Sequence, residues 1–129
     1  MIVNKSEKAF ELLRGKINLF QEEVWTISLS ADLELLYMDM VFRGTVDQCA
    51  VHPRDLIRIV CGRNAAAFIL AHNHPSGRTQ PSLEDKKVTR KIMQIANLLE
   101  IPMKDHLIVA AGSYYSFADE GLLNVARRR

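Results

Sequence analysis

AAAFILAHNHPSG, residues 65–77, is a near-continuous apolar run that ends in two histidines one residue apart and then a Pro-Ser-Gly turn. A short run of that apolarity suits a strand covered on both faces. If the strand persists through His72 and His74, their side chains leave on the same side, because strand side chains alternate. The C-terminal end of a buried strand is also where open α/β sheets place their sites.

Working outward from this run, the chain divides into strands and helices. SEKAFELLRGK (6–16) predicts a short helix capped by Ser6, with Phe10 and Leu13 on one side. EEVWTISLS (22–30) predicts a strand, with Trp25, Ile27 and Leu29 as its apolar face and Val24, Thr26 and Ser28 on the other. ADLE (31–34) makes a turn, and LLYMDMVFRG (35–44) reads as the hairpin partner. VHPRDLIRIVCGRN (51–64) predicts a helix with Pro53 near its start, Gly62 as its stop, and a stripe of Leu56, Ile59 and Val60. SLEDKKVTRKIMQIANLLE (82–100) predicts a long helix, packed through Val88, Ile92, Ile95 and Leu99. HLIVA (106–110) and SYYSF (113–117) predict two further strands joined at Gly112. The expected fold class is α/β: a mixed sheet of about five or six strands with helices packed on it.

Composition bounds the function. The 129 residues suit one domain, and an apolar content of 48% is ordinary for a globular core. The net charge is +2, and Arg127, Arg128 and Arg129 form a basic tail. The other basic residues, such as Arg43, Arg54 and Arg58, are interleaved with acids and form no aromatic-and-basic stacking platform for nucleic acid. The two cysteines, Cys49 and Cys61, form no C-x-x-C and fit a reducing compartment, with Cys61 expected as a small buried hydrophobe. No apolar run approaches membrane-span length and the N-terminus carries charge too early for a signal peptide, so the cytoplasm is the expected location.

Two imidazoles at a strand end raise the prospect of a metal, which needs a further ligand. Asp85, in the first turn of the long helix, stands on or near the face that packs on the sheet. His72, His74 and Asp85 would supply three N/O ligands and leave a fourth position open, the pattern of a catalytic zinc site. A capping box between Ser82 and Asp85 accounts for the same carboxylate without metal, and the two readings stand level on the residues alone. A hydrolytic site also needs a general base. Glu22 and Glu23 open the first central strand. Strand parity with Trp25 and Ile27 favours Glu23, although a bulge at the strand start would reverse that. His52 is expected to support the start of its helix, and His106 to begin a strand or line the cleft.

HNHPSGRTQPSLED (72–85) resembles the metal-binding segment of the JAMM, or MPN+, zinc metalloprotease superfamily, whose pattern is a distant Glu, His-x-His and Ser-x-x-Asp. The HPSG form is similar to the RadC-like branch, as are EEVWTISLS, VFRGTVDQCAVHPRDLIRIV and DHLIVAAGSYYSFADEGLL. The likeness covers residues 5–123 and implies a single JAB/MPN-type domain related in architecture to the cytidine deaminases. It implies that His72, His74 and Asp85 hold Zn2+, that Glu23 is the base toward the attacking water, and that Ser82 hydrogen-bonds the developing oxyanion. Asp105 is expected to orient a ligand imidazole, and Asn73 to point away from its flanking histidines. The implied activity is cleavage of a peptide or isopeptide bond in a protein or peptide substrate. The alternative is a DNA-repair-associated binding module whose metal is structural or vestigial; longer RadC-like chains resemble a helix-hairpin-helix region fused ahead of this domain. A zinc deaminase is disfavoured, because the chain lacks H-x-E and P-C-x-x-C. The apolar strand LLYMDMVF leaves monomer and homodimer both open.

Overall fold

In the computed structural model, residues 1–44 and 51–123 are described. Cys49 and the basic tail at 127–129 lie outside them. In chain order the elements are α1 (Ser6–Arg14), β1 (Glu23–Leu29), β2 (Leu35–Arg43), α2 (Pro53–Gly62), β3 (Ala67–Asn73), α3 (Leu83–Leu98), β4 (Met103–Val109) and β5 (Tyr114–Ser116). The sheet runs β2-β1-β3-β4-β5. β3 and β4 are parallel, and the other neighbours are antiparallel. This is the expected mixed α/β sheet, consistent with a JAB/MPN-type fold.

Helices cover both faces of the sheet. On one face Phe10 and Leu13 of α1 pack with Ile27, Leu29, Ile69, Ala71, Leu107 and Val109. On the other, Leu56 and Val60 of α2 and Ile92, Met93 and Ala96 of α3 pack on Val24, Phe68 and Leu70. β3 is therefore buried along its whole length, as its apolar run requires. Because residues of β3 alternate between the two faces, His72 joins the α2/α3 side with Phe68 and Leu70, whereas Asn73 follows Ala71 to the α1 side.

Several local expectations are corrected. Ser6 does not cap α1: Lys5 is the N-cap residue, and the Ser6 hydroxyl bonds Tyr114 and Asp119 instead. α2 does end at Gly62, but the left-handed turn that follows its C-cap Arg63 is taken by Asn64, at φ 57°. Asn tolerates that region through its short polar side chain. Cys61 is exposed rather than buried. On α3 the buried residues are Thr89, Ile92, Met93 and Ala96, so its inner stripe is rotated from the expected one and Leu99 is exposed. His52 is the N-cap of α2 by position, and it makes no side-chain cap bond. Among the described residues, no helix is long and apolar enough to cross a membrane.

Candidate metal centre

His72 lies near the end of β3, and His74 stands one residue beyond it. The loop that follows turns at Gly77, whose φ of 84° suits glycine and whose N–H bonds the His74 carbonyl at 2.8 Å. The chain then enters α3 through a capping box. The Ser82 hydroxyl accepts from the Asp85 N–H at 3.0 Å, and Asp85 Oδ2 accepts from the Ser82 N–H at 2.9 Å. That box aims the Asp85 carboxylate at the histidines. His72 Nε2 is 3.3 Å from Asp85 Oδ1, and His74 Nε2 is 3.1 Å from Oδ2. The two Nε2 atoms are 3.2 Å apart. The cap and the cluster, competing explanations of Asp85 in the sequence, coexist. The Ser82 oxygen uses a lone pair for the cap and keeps its own proton to donate, so capping leaves it available as a donor.

The donor set suits zinc. Two imidazole nitrogens and a carboxylate are common zinc ligands, and tetrahedral bonds of ~2.0–2.2 Å put neighbouring ligand atoms roughly 3.3–3.6 Å apart. The observed separations of 3.1, 3.2 and 3.3 Å are close to that range. His74 Nδ1 donates to the Arg78 carbonyl at 3.0 Å, which leaves Nε2 to face the cluster.

Electrostatics hold the cluster together. Burial alone would raise the Asp85 carboxyl, but hydrogen bonds from His72 and His74, the charge of His72, and the Ser82 N–H hold it far below the ordinary carboxylate range. The hydrogen bond to Asp85 raises His74 in turn. Burial lowers His106 well below an ordinary imidazole.

The acid beside the histidines is Glu22, which corrects the expectation for Glu23. One donor atom from each of Glu22, His72 and His74 lies within 4.8 Å of the others. Val24 pairs with His72 across β1 and β3, and alternation puts Glu22 on that same face. Glu23 turns to the α1 side and is only 1% exposed. Its carboxylate accepts from Trp25 Nε1 at 2.8 Å, from the Asn18 N–H at 3.0 Å, and from Arg43 Nη2 at 2.7 Å. Burial pushes the Glu23 carboxyl up, and these bonds outweigh it and hold it below its ordinary value. At Glu22 burial dominates and raises the carboxyl, against the opposing pull of both histidines.

Asn73 explains how this strand start is held. Its Oδ1 accepts from the Glu23 N–H at 3.0 Å, and its Nδ2 donates to the Gln21 carbonyl at 3.0 Å. These bonds bracket Glu22 and fix its backbone.

Asp105 does not orient an imidazole ring, which corrects a second expectation. It accepts from the His106 N–H, Ser116 Oγ and the Ala118 N–H at 2.7, 2.7 and 3.0 Å, tying β4 to β5 and the segment after it. The ring contact to His72 comes instead from His106, whose Nε2 lies 2.8 Å from His72 Nδ1. The sequence signal for this was phase: on β4, His106 and Ile108 share one face, while Leu107 and Val109 share the other.

The cluster stands at one side of a cavity of about 290 Å³. Val24, Val51, Leu70 and Val88 supply its apolar wall, and Glu22, Glu84 and Asp85 its acidic groups.

A fold and a histidine–carboxylate cluster of this kind define a candidate metal-binding domain, and comparison with known sequences places it. The model of the RadC-like JAB domain matches residues 3–122, and the chain belongs to that family. It is 44% identical over 105 residues to the UPF0758 protein YkfG of Escherichia coli (strain K12), covering 81% of this chain and 66% of that one. It is 41% identical over 120 residues to the UPF0758 protein PM1152 of Pasteurella multocida (strain Pm70), covering 93% of this chain and 54% of that one. The UPF0758 protein YeeS of E. coli (strain K12) is 39% identical over 112 residues, 87% of this chain and 76% of that one. The chain spans about half to two thirds of the length of YkfG and PM1152.

Proposed function

We propose that this domain is a zinc-dependent metallohydrolase that cleaves a peptide or isopeptide bond. The observation that carries the reading is the meeting of His72 Nε2, His74 Nε2 and the Asp85 carboxylate within 3.1–3.3 Å beside a cavity that also presents Glu22. His72, His74 and Asp85 would hold the ion. An ion held there would supply Lewis acidity toward the substrate carbonyl and the attacking water.

The protein's own groups do the rest. Glu22 is the general base. Its carboxyl is raised by burial, and a base works best with a pKa near the working pH. It takes a proton from the attacking water and returns it to the departing amine. Ser82 donates its hydroxyl proton to the oxygen on which charge develops, the geometry its cap bond leaves open. The wall of Val24, Val51, Leu70 and Val88 receives an apolar part of the substrate and excludes water from the reacting groups.

The test is a screen of zinc-loaded protein against peptide and isopeptide libraries, with a chelated sample and a zinc-restored sample beside it. Cleavage that disappears with the chelator and returns with zinc supports the reading. Cleavage indifferent to zinc, or none of either bond class by fully loaded protein, contradicts it.

A further inference from the structure

The His72 ring offers Nε2 to the cluster, but an imidazole binds a metal only through a nitrogen that carries no proton. Hydrogen bonds behind the ring decide which nitrogen that is. Thr89 Oγ1 lies 2.6 Å from the backbone carbonyl oxygen of Asp85 and 2.6 Å from His106 Nδ1. A carbonyl oxygen can only accept, so the single hydroxyl proton of Thr89 goes to Asp85. The Thr89 oxygen must then accept, and His106 Nδ1 must carry the proton it accepts. A neutral imidazole has one N–H, so His106 Nε2 is an acceptor. It lies 2.8 Å from His72 Nδ1, which must therefore be the donor. In the neutral ring that leaves His72 Nε2 as a bare lone pair, 3.2 Å from His74 Nε2 and 3.3 Å from Asp85 Oδ1, a group of acceptors that only a cation or a further proton can bridge.

Both relay side chains are buried, His106 at 3% and Thr89 at 2% exposure, so bulk water does not supply alternative partners. Phe117 stacks on the His106 ring at 4.6 Å between centroids and 7° between planes, which holds its orientation. The first proton in the chain is fixed by Asp85's own backbone. The helix turn that carries the Asp85 carboxylate to the site thus also sets the tautomer of the histidine it meets.

We propose that Thr89 and His106 are positioning residues that force His72 into the tautomer with Nδ1 protonated and Nε2 directed at the metal cluster. This rests on the metal-centre reading for its consequence, though the tautomer itself is a property of the metal-free chain. The chemical logic is that of the partners which orient metal-bound histidines elsewhere, whose loss typically costs ~10–100-fold in metal affinity. Here the partner of the ligand is a second imidazole, which could donate or accept, so the Thr89 hydroxyl is needed to settle its sense.

The experiment is nitrogen-15 NMR of the imidazoles in the full, metal-free chain at a pH where they are neutral, with His72 assigned by comparison with His72→Gln. Zinc affinity by chelator competition is measured in parallel. Wild type is expected to carry the His72 proton on Nδ1. Thr89→Val keeps the shape and removes the acceptor for His106. It is expected to move the His72 proton toward Nε2 and to weaken zinc by ~10–100-fold. Thr89→Ser keeps the hydroxyl and is expected to behave as wild type. Simple packing predicts the reverse order, since valine preserves the methyl groups and serine does not. A wild-type His72 protonated on Nε2 overturns the proposal without recourse to any variant, as does a Thr89→Val protein with wild-type tautomer and zinc affinity. If no protein binds zinc but the tautomers shift as stated, the relay stands and the metal-centre reading fails.

Discussion

Glu22 and Glu23 are consecutive in the chain, and their carboxylates stand on opposite faces of the sheet. Glu22 joins His72 and His74, whereas Glu23 is bound by Arg43 and Trp25 on the α1 side. Under the proposed mechanism the pair separates chemistry from stability. Glu22→Gln is expected to bind zinc as wild type does and to lose turnover by ~10²–10⁴-fold, the range of a general base. Glu23→Gln is expected to retain turnover per folded molecule and to unfold more easily. Steady-state rates and thermal unfolding of the two variants check this, and a catalytic loss confined to Glu23→Gln would reverse the assignment.

The buried Glu23 carboxylate, held by the Asn18 N–H, Trp25 and Arg43, also sets a pH dependence. The Glu23 carboxyl is held below its ordinary value of 4.5 in the folded chain. The folded state thus favours the ionised form. The resulting stability is fully present above the ordinary value and is lost as pH falls through the depressed one. Arg43→Ala leaves a buried carboxylate without its cation, at an expected cost of about 2 kcal/mol near neutral pH. Unfolding followed from neutral pH into acid should show that cost shrinking as Glu23 protonates. A constant cost across the range would contradict the linkage.

Ser82 carries a cap and a proposed hydroxyl donor, and the two can be separated. Ser82→Ala is expected to lose about 1 kcal/mol of stability and Ser82→Gly only a few tenths, since glycine is tolerated at an N-cap. Both remove the donor, so both are expected to lose ~10²–10³-fold in turnover. Equal turnover in Ser82→Gly and wild type would leave the residue with a cap role only.

Each proposed metal ligand has its own expected signature. His72→Ala, His74→Ala and Asp85→Ala should each weaken zinc binding, measured by chelator competition. Asp85→Ala also removes half of the capping box and should lower the unfolding temperature more than His74→Ala, whose side chain is more exposed. Undiminished zinc affinity in Asp85→Ala would transfer the carboxylate role to Glu22.

The sequence carried β3, the His72/His74 pair and the approach of Asp85, because strand parity and the first turn of a helix are local properties. It did not carry the choice between Glu22 and Glu23. Trp25, Ile27 and Leu29 marked the more apolar face of β1, but helices cover both faces of this sheet, so apolarity does not say which face holds the histidines. The pairing of Val24 with His72 decides it, and pairing between residues 48 apart in the chain is a tertiary fact. The relay through Thr89 and His106 was illegible for the same reason: it joins α3, β4 and β3. The turn at Asn64 rather than Gly62 shows a smaller limit, since either residue can take a left-handed conformation.

The most direct measurement is zinc content by elemental analysis after gentle purification, for the wild-type chain beside a His72→Ala/His74→Ala double variant. The account predicts close to one zinc per wild-type chain and none in the variant. A folded wild-type chain that takes up no zinc when it is supplied, or a double variant that binds as much as wild type, would contradict it.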